Sequence, residues 1–181
     1  MLKAKYYFKW LVYFLIFSLV AIIQVTFISS LPSVYLAINL PLISLLFSLL
    51  FFNRNTTLVM ALIMGFWLDI LGFNFFGLNI ILFLTIVLAL DFSLTNWLTN
   101  RSLYSFLVLS IFSVLLYNLL LYSILAIWPG SYGESGFFFF QFYFWKQLFW
   151  QMLWSAGFML LFFNLANSLS KHLKPFFLEK K

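Results

Sequence analysis

Six long apolar runs, near residues 10–29, 35–52, 56–72, 77–92, 103–127 and 148–169, limit this chain more than any other feature in it. A helix needs roughly 20 predominantly apolar residues, or a little fewer, to cross about 30 Å of hydrocarbon. Five runs meet that need, and the second is marginal. Inside a bilayer every backbone polar group has to be satisfied by the protein itself, and runs of this length do so as helices. The expected fold is therefore an all-α integral membrane protein, a compact bundle of six transmembrane helices, with residues 1–181 as a single transmembrane domain. With 65% hydrophobic and 8% charged residues and a mean hydropathy of +1.09, no polar stretch is long enough for a separate soluble core.

The second run contains Pro41, which lacks an amide hydrogen and disfavours helix at Asn39 and Leu40. Either this helix is kinked, or it begins at Pro41 and residues 31–40 lie at the interface. Lys3, Lys5 and Lys9 ahead of the first run look like the start of a signal peptide. The run is longer than a normal signal core and no small-x-small cleavage site follows, so an uncleaved first helix is expected.

Basic residues on short loops stay in the cytoplasm, which gives an independent test of the span count. With six spans and both termini inside, the cytoplasmic side holds Lys3, Lys5, Lys9, Arg54, Arg101, Lys171, Lys174, Lys180 and Lys181. Only Lys146 falls outside. The net charge of +6 thus belongs to a membrane surface and not to nucleic acid. Tyr6, Tyr7, Trp10 and Trp97 mark the inner headgroup level, and Trp128, followed by the turn signal Pro129-Gly130, the outer one. After that turn comes "FFFFQFYFWKQ", residues 137–147. A helix from there to Ser170 would be about 50 Å long, too long to span upright. These residues are expected to lie along the outer interface or to form a tilted extension of the last helix.

One acid sits deep in this grease. Ala61, Gly65, Asp69 and Gly72 recur at spacings of four, four and three, one stripe of a helix. Small residues on that stripe let a neighbouring backbone come close, which turns the carboxyl group toward protein instead of lipid. From Thr56, Asp69 lies some 20 Å along the helix, beyond mid-bilayer toward the outer face. An ionised Asp costs about 2.5–3.5 kcal/mol at a helix centre, less near an interface, so this one is expected to be neutral, hydrogen-bonded or beside trapped water. "GFNFFG", residues 72–77, follows directly, and the free amides at the start of the fourth helix are one possible receiver. A partner or ligand is the other. Gln24, Asn79, Asn118 and the stripe Gln147, Gln151, Ser155 are further polar residues in apolar runs, assigned to interhelical hydrogen bonds of roughly 0.6 kcal/mol each.

Catalytic material is scarce. The chain has no Cys, one His (His172) and four acids, which excludes thiolate and histidine-rich metal sites and Cys/His nucleophile pairs. GxSxG, HExxH and phosphate-loop patterns are absent, and Asp69 and Asp91 fall at opposite ends of adjacent spans. No enzyme activity and no cofactor are expected.

The order of features has a likeness. A short basic N-terminus, Gln24 near the end of the first helix, "LP" at 31–32, "NLPLISLLFSLLF" opening the second helix, the "NRN" turn and "GFWLDILGFNFFGLN" resemble the MreD family. The match is closest at Gly65, Asp69, Gly72, Gly77, Leu78 and Asn79. It covers about residues 24–79, with only topology agreeing beyond, and departs at Leu42, where many members carry an acid. The resemblance implies a non-enzymatic, multi-pass subunit of the bacterial inner membrane, working in cell elongation with an MreC-like protein and peptidoglycan synthase components. Carried over by position, Pro41, Gly65, Asp69, Gly72 and Gly77 are the candidate family-defining residues, with Asn79 beside them in the same motif. The competing expectation is the substrate-binding component of an energy-coupling-factor vitamin transporter, with Asp69, Asn74 and Asn79 lining an outward pocket.

Overall fold

The computed structural model describes residues 2–31, 37–72, 75–96, 103–127 and 142–172, and among them every regular element is helical. The helices are α1 (Leu2–Thr26), α2 (Leu40–Phe51), α3 (Arg54–Leu71), α4 (Leu78–Asn96), α5 (Leu103–Ile127) and α6 (Phe142–His172). A short 3-10 turn, Ile28–Ser30, follows α1. Four segments, Trp10–Ser30, Arg54–Leu71, Leu78–Asn96 and Tyr104–Leu125, are long and apolar enough to cross a membrane, and Leu40–Leu49 is a shorter apolar helix.

That shorter helix is the hub. Around α2 the others follow one another, α1 beside α3, α3 beside α4, α4 beside α5 and α5 beside α6, while α2 touches all five. Its sequence is apolar apart from Ser44 and Ser48, whose hydroxyls bond to carbonyls within the helix, a pattern that suits a helix packed on most sides. Leu42, Leu45 and Leu46 are sealed, and share one core with Met60, Ala61 and Met64 of α3, Phe83, Ile86 and Leu90 of α4, and Leu109 and Val114 of α5. Between helices in lipid such contacts gain little from leaving water; close packing and dispersion hold them.

With 12 residues α2 is only about 18 Å long, well short of a full crossing. The run 35–52 is therefore not one helix and not a kinked one; the alternative of a helix beginning at Pro41 agrees with the structure to within one residue. The helix starts at Leu40 with Pro41 in its first turn, where a missing amide hydrogen costs nothing. Asn39 caps it, its Oδ1 accepting from the Leu42 N–H at 3.1 Å.

The irregular backbone ahead of α2 needs partners, because Ala37 and Ile38 are buried in the bundle. Gln24 of α1 supplies them. Its Nε2 donates to Ile38 O at 3.0 Å and its Oε1 accepts from Leu40 N at 2.9 Å, so one carboxamide replaces a length of backbone ladder. The interhelical bond expected for Gln24 is the one from Leu40, the first residue of α2, and its second bond goes to Ile38 just ahead of that helix.

Two further boundaries differ from expectation. α1 begins at Leu2 and α4 continues to Asn96. Phe142–Gln147 belong to α6, so for these residues the extension of the last helix is correct and the separate interfacial segment is not. Residues 137–141, like Trp97, Arg101, Trp128, Pro129, Gly130 and Asn74, lie outside the described residues.

Candidate functional site: an acid that caps a neighbouring helix

α4 opens without a capping side chain of its own. Gly77 O accepts the first helical bond, from Ile81 N at 3.0 Å, yet glycine has no oxygen to offer the free amides of the first turn. Asp69, from the last turns of α3, takes over. Its Oδ2 accepts from Gly77 N at 2.9 Å and Ile80 N at 3.3 Å, and its Oδ1 accepts from Asn79 N and Asn79 Nδ2, both at 2.9 Å. A carboxylate at a helix N-terminus is also favoured by the aligned peptide dipoles. The acid is only 4% exposed, and its two oxygens are spent on four donors.

Two glycines make this reach possible, for different reasons. Gly65 lies one turn before Asp69 on the face toward α4, and a Cβ there would stand 2.7 Å from Ile80 Cα and 2.8 Å from Ile80 N. Backbone meets backbone, so a side chain has no room. Gly77 has open space around it but φ +96°, a conformation that L side chains rarely adopt. Gly72 ends α3 in extended backbone, its N–H bonded to Leu68 O at 2.8 Å, and is under no such conformational demand.

Asp91 stands at the opposite end of α4. Its carboxylate pairs with Arg54 at 3.5 Å, the two side chains 24% and 54% exposed, at the first residue of α3. Arg54 and Asp69 are about 22 Å apart along α3, so the two acids do not meet. The reading that kept them apart holds.

Of the residues singled out in the sequence, Gly65, Asp69, Gly77 and Asn79 come together in one joint, and Pro41 and Gly72 stand outside it. Sequence reasoning passed over Asn39, although an Asn two residues ahead of a helix-opening proline is a start signal. It also missed the bond from Trp67 Nε1 to Ser18 Oγ at 2.8 Å, which ties α3 to α1, and Tyr117, which sits against the Asn39 side chain and stacks on Phe83 at 6.1 Å. No spacing within one helix reveals such contacts.

The family model described as rod shape-determining protein MreD matches residues 4–169. The chain belongs to the MreD family. As an MreD protein it is a multi-pass, shape-determining membrane protein of the bacterial inner membrane. The match takes in α1 through most of α6, well beyond the stretch 24–79 that carried the resemblance. No curated protein and no solved structure matches the chain. The vitamin-transporter alternative is not supported. The family is a different one, and Asp69 and Asn79, offered as pocket-lining groups, are bonded to each other. Among the described residues no cluster of His, Cys, Asp or Glu is arranged to hold a metal.

Proposed function

We propose that the protein is a non-enzymatic subunit of the cell-elongation complex that binds an MreC-like protein and peptidoglycan synthase components through its membrane helices. The match to MreD over residues 4–169 carries this reading. It is supported by outward faces that are broad and apolar, with Leu11, Leu15, Leu19 and Ile22 exposed along α1 and Leu153, Leu160 and Leu161 along α6. Helix faces are the main thing such a chain has to offer a partner.

The polypeptide crosses the membrane six times with both termini in the cytoplasm, and residues 1–181 act as one domain. Charge supports this orientation. Arg54 opens α3 at the end of the bundle where Tyr13 of α1 meets Phe52, and the basic residues Lys3, Lys5 and Lys9 lie in the first turns of α1. The short α2 and the stretch held by Gln24 together make the second crossing.

Pro41, Gly65, Asp69, Gly72, Gly77 and Asn79 serve the shape of the bundle, and partners bind to faces that this shape presents. In favour of this, the oxygens of Asp69 are already occupied within the chain. Affinity purification from native membranes tests the function. Recovery of an MreC-like protein with synthase components is expected, whereas co-purifying transporter ATPases or a tightly held vitamin would refute the assignment. Asp69→Leu is expected to lower partner recovery more than Asp91→Leu.

A further inference from the structure

Where α5 and α6 meet, two buried carboxamides are joined by one arm only. Asn118 Nδ2 donates to Gln151 Oε1 and to Val114 O, each at 2.8 Å, which uses both of its N–H groups. The reciprocal bond is not made. Among the described residues Asn118 Oδ1 accepts no hydrogen bond and Gln151 Nε2 donates none. Buried polar atoms are almost always paired, with protein or with ordered water. In a membrane they face the bundle interior or a water-filled space.

The surroundings distinguish these two residues from ordinary buried polar groups. Ser110 and Ser113 on the same helix are completely enclosed, and each hydroxyl is spent on a carbonyl of α5 at 2.8 Å. Asn118 and Gln151 keep 9% and 7% of their surface open. One turn before Gln151, on the same stripe of α6, Gln147 is exposed. On the α5–α6 contact itself the ring of Tyr122 meets Phe144 edge-on at 4.9 Å. Among the described residues, Gln147 is the exposed polar side chain on the stripe that leads from Gln151 toward the start of α6.

We propose that Asn118 and Gln151 form the floor of a narrow water-holding notch that opens beside Gln147 at the outer face of the membrane. Water suits both open atoms, since one molecule accepts from Gln151 Nε2 while donating to Asn118 Oδ1. A lipid acyl chain satisfies neither. The proposal rests on the orientation given under Proposed function, which places the start of α6 outside.

The natural chain has no cysteine, so single replacements report cleanly. Gln147→Cys, Asn118→Cys, Gln151→Cys and, as a sealed reference, Leu109→Cys are exposed in spheroplasts to a charged, membrane-impermeant methanethiosulfonate. Gln147→Cys should react readily from outside, and Asn118→Cys and Gln151→Cys at least about 10-fold faster than Leu109→Cys. If Gln147→Cys reacts and the two deeper positions are as slow as Leu109→Cys, the notch is refuted and the orientation stands. If Gln147→Cys reacts only from the cytoplasmic face, the orientation fails and the outward notch with it. Replacing either amide risks disturbing the fold, so the unsubstituted chain gives a second measurement. In water-edited solid-state NMR, magnetisation from water should reach the Asn118 and Gln151 side-chain amides well before the Leu109 methyls; equal build-up would overturn the proposal.

Discussion

Asn79 meets Asp69 twice, donating to the same oxygen, Oδ1, with its backbone N–H and with its side-chain amide, both at 2.9 Å. One residue thus supplies half of the donors that hold the acid, and Gly77 and Ile80 supply the others. The arrangement is a helix cap whose side chain comes from a different helix. It makes the α3–α4 joint depend on one carboxylate.

Asp69→Leu leaves four N–H donors without an acceptor in a buried site. Orphaned buried donors cost about 1–3 kcal/mol each where no water can reach them, with partial relaxation expected. A loss of roughly 3 kcal/mol or more is predicted, read from unfolding in mixed detergent micelles. Asp91→Leu should cost no more than about 1 kcal/mol, because its pairing with Arg54 is open to solvent. Equal losses for the two variants would show that the cap is not what stabilises the joint.

Gly65 and Gly77 should respond in opposite order to the same pair of replacements. At Gly65 the obstacle is the Ile80 backbone, so Gly65→Ala is predicted to cost roughly 1–3 kcal/mol and Gly65→Asn more. At Gly77 the obstacle is the positive φ, so Gly77→Ala is predicted to cost about 1–2 kcal/mol and Gly77→Asn less, since Asn tolerates that region. Gly157→Ala, with nothing within 4 Å of the added carbon, should change stability by less than about 1 kcal/mol. The same unfolding titration ranks all five.

Gln24→Leu keeps the size of the side chain and removes both of its bonds. Ile38 O and Leu40 N would then lack partners, and a loss of roughly 2–4 kcal/mol is predicted. Gln24→Glu keeps the acceptor for Leu40 N and should retain part of the stability. Amide hydrogen exchange at Leu40 provides the local check, with faster exchange expected in Gln24→Leu.

Pro41→Ala should be mild. The proline lies in the first turn, where it interrupts no helical bond, so its removal is expected to cost only about 0.4–1 kcal/mol through the freer unfolded chain. Circular dichroism should show unchanged helix content. A gain of helix would mean that the proline is what keeps α2 short.

The sequence made α3, α5 and the stripe Ala61–Gly65–Asp69 legible because helical periodicity and glycine placement are local signals. It also exposed the amides of α4 as one possible destination for the acid, since the short hinge "GFNFFG" leads directly from Asp69 into that helix. A short α2 is one of the two readings that Pro41 leaves open, and hydropathy alone does not choose between them. Apolar residues run on both sides of Leu40, and hydropathy cannot tell a chain that is helical in lipid from irregular backbone held by a distant Gln24. The sequence leaves the start of α6 open between two readings because aromatic residues suit a headgroup level and a helix face equally well. The Asn118–Gln151 bond joins residues 33 apart, a distance that no helical spacing reports.

The acid and its receiving amides are separated by only 8 to 11 residues of chain. At ordinary rates of synthesis, roughly 5–20 residues per second, they leave the ribosome within about two seconds of each other. Asp69 therefore has no need to face the lipid tails alone while the remaining helices are made. The third and fourth helices can be delivered to the bilayer as a finished hairpin, its carboxyl group already hydrogen-bonded, on which the later helices are laid.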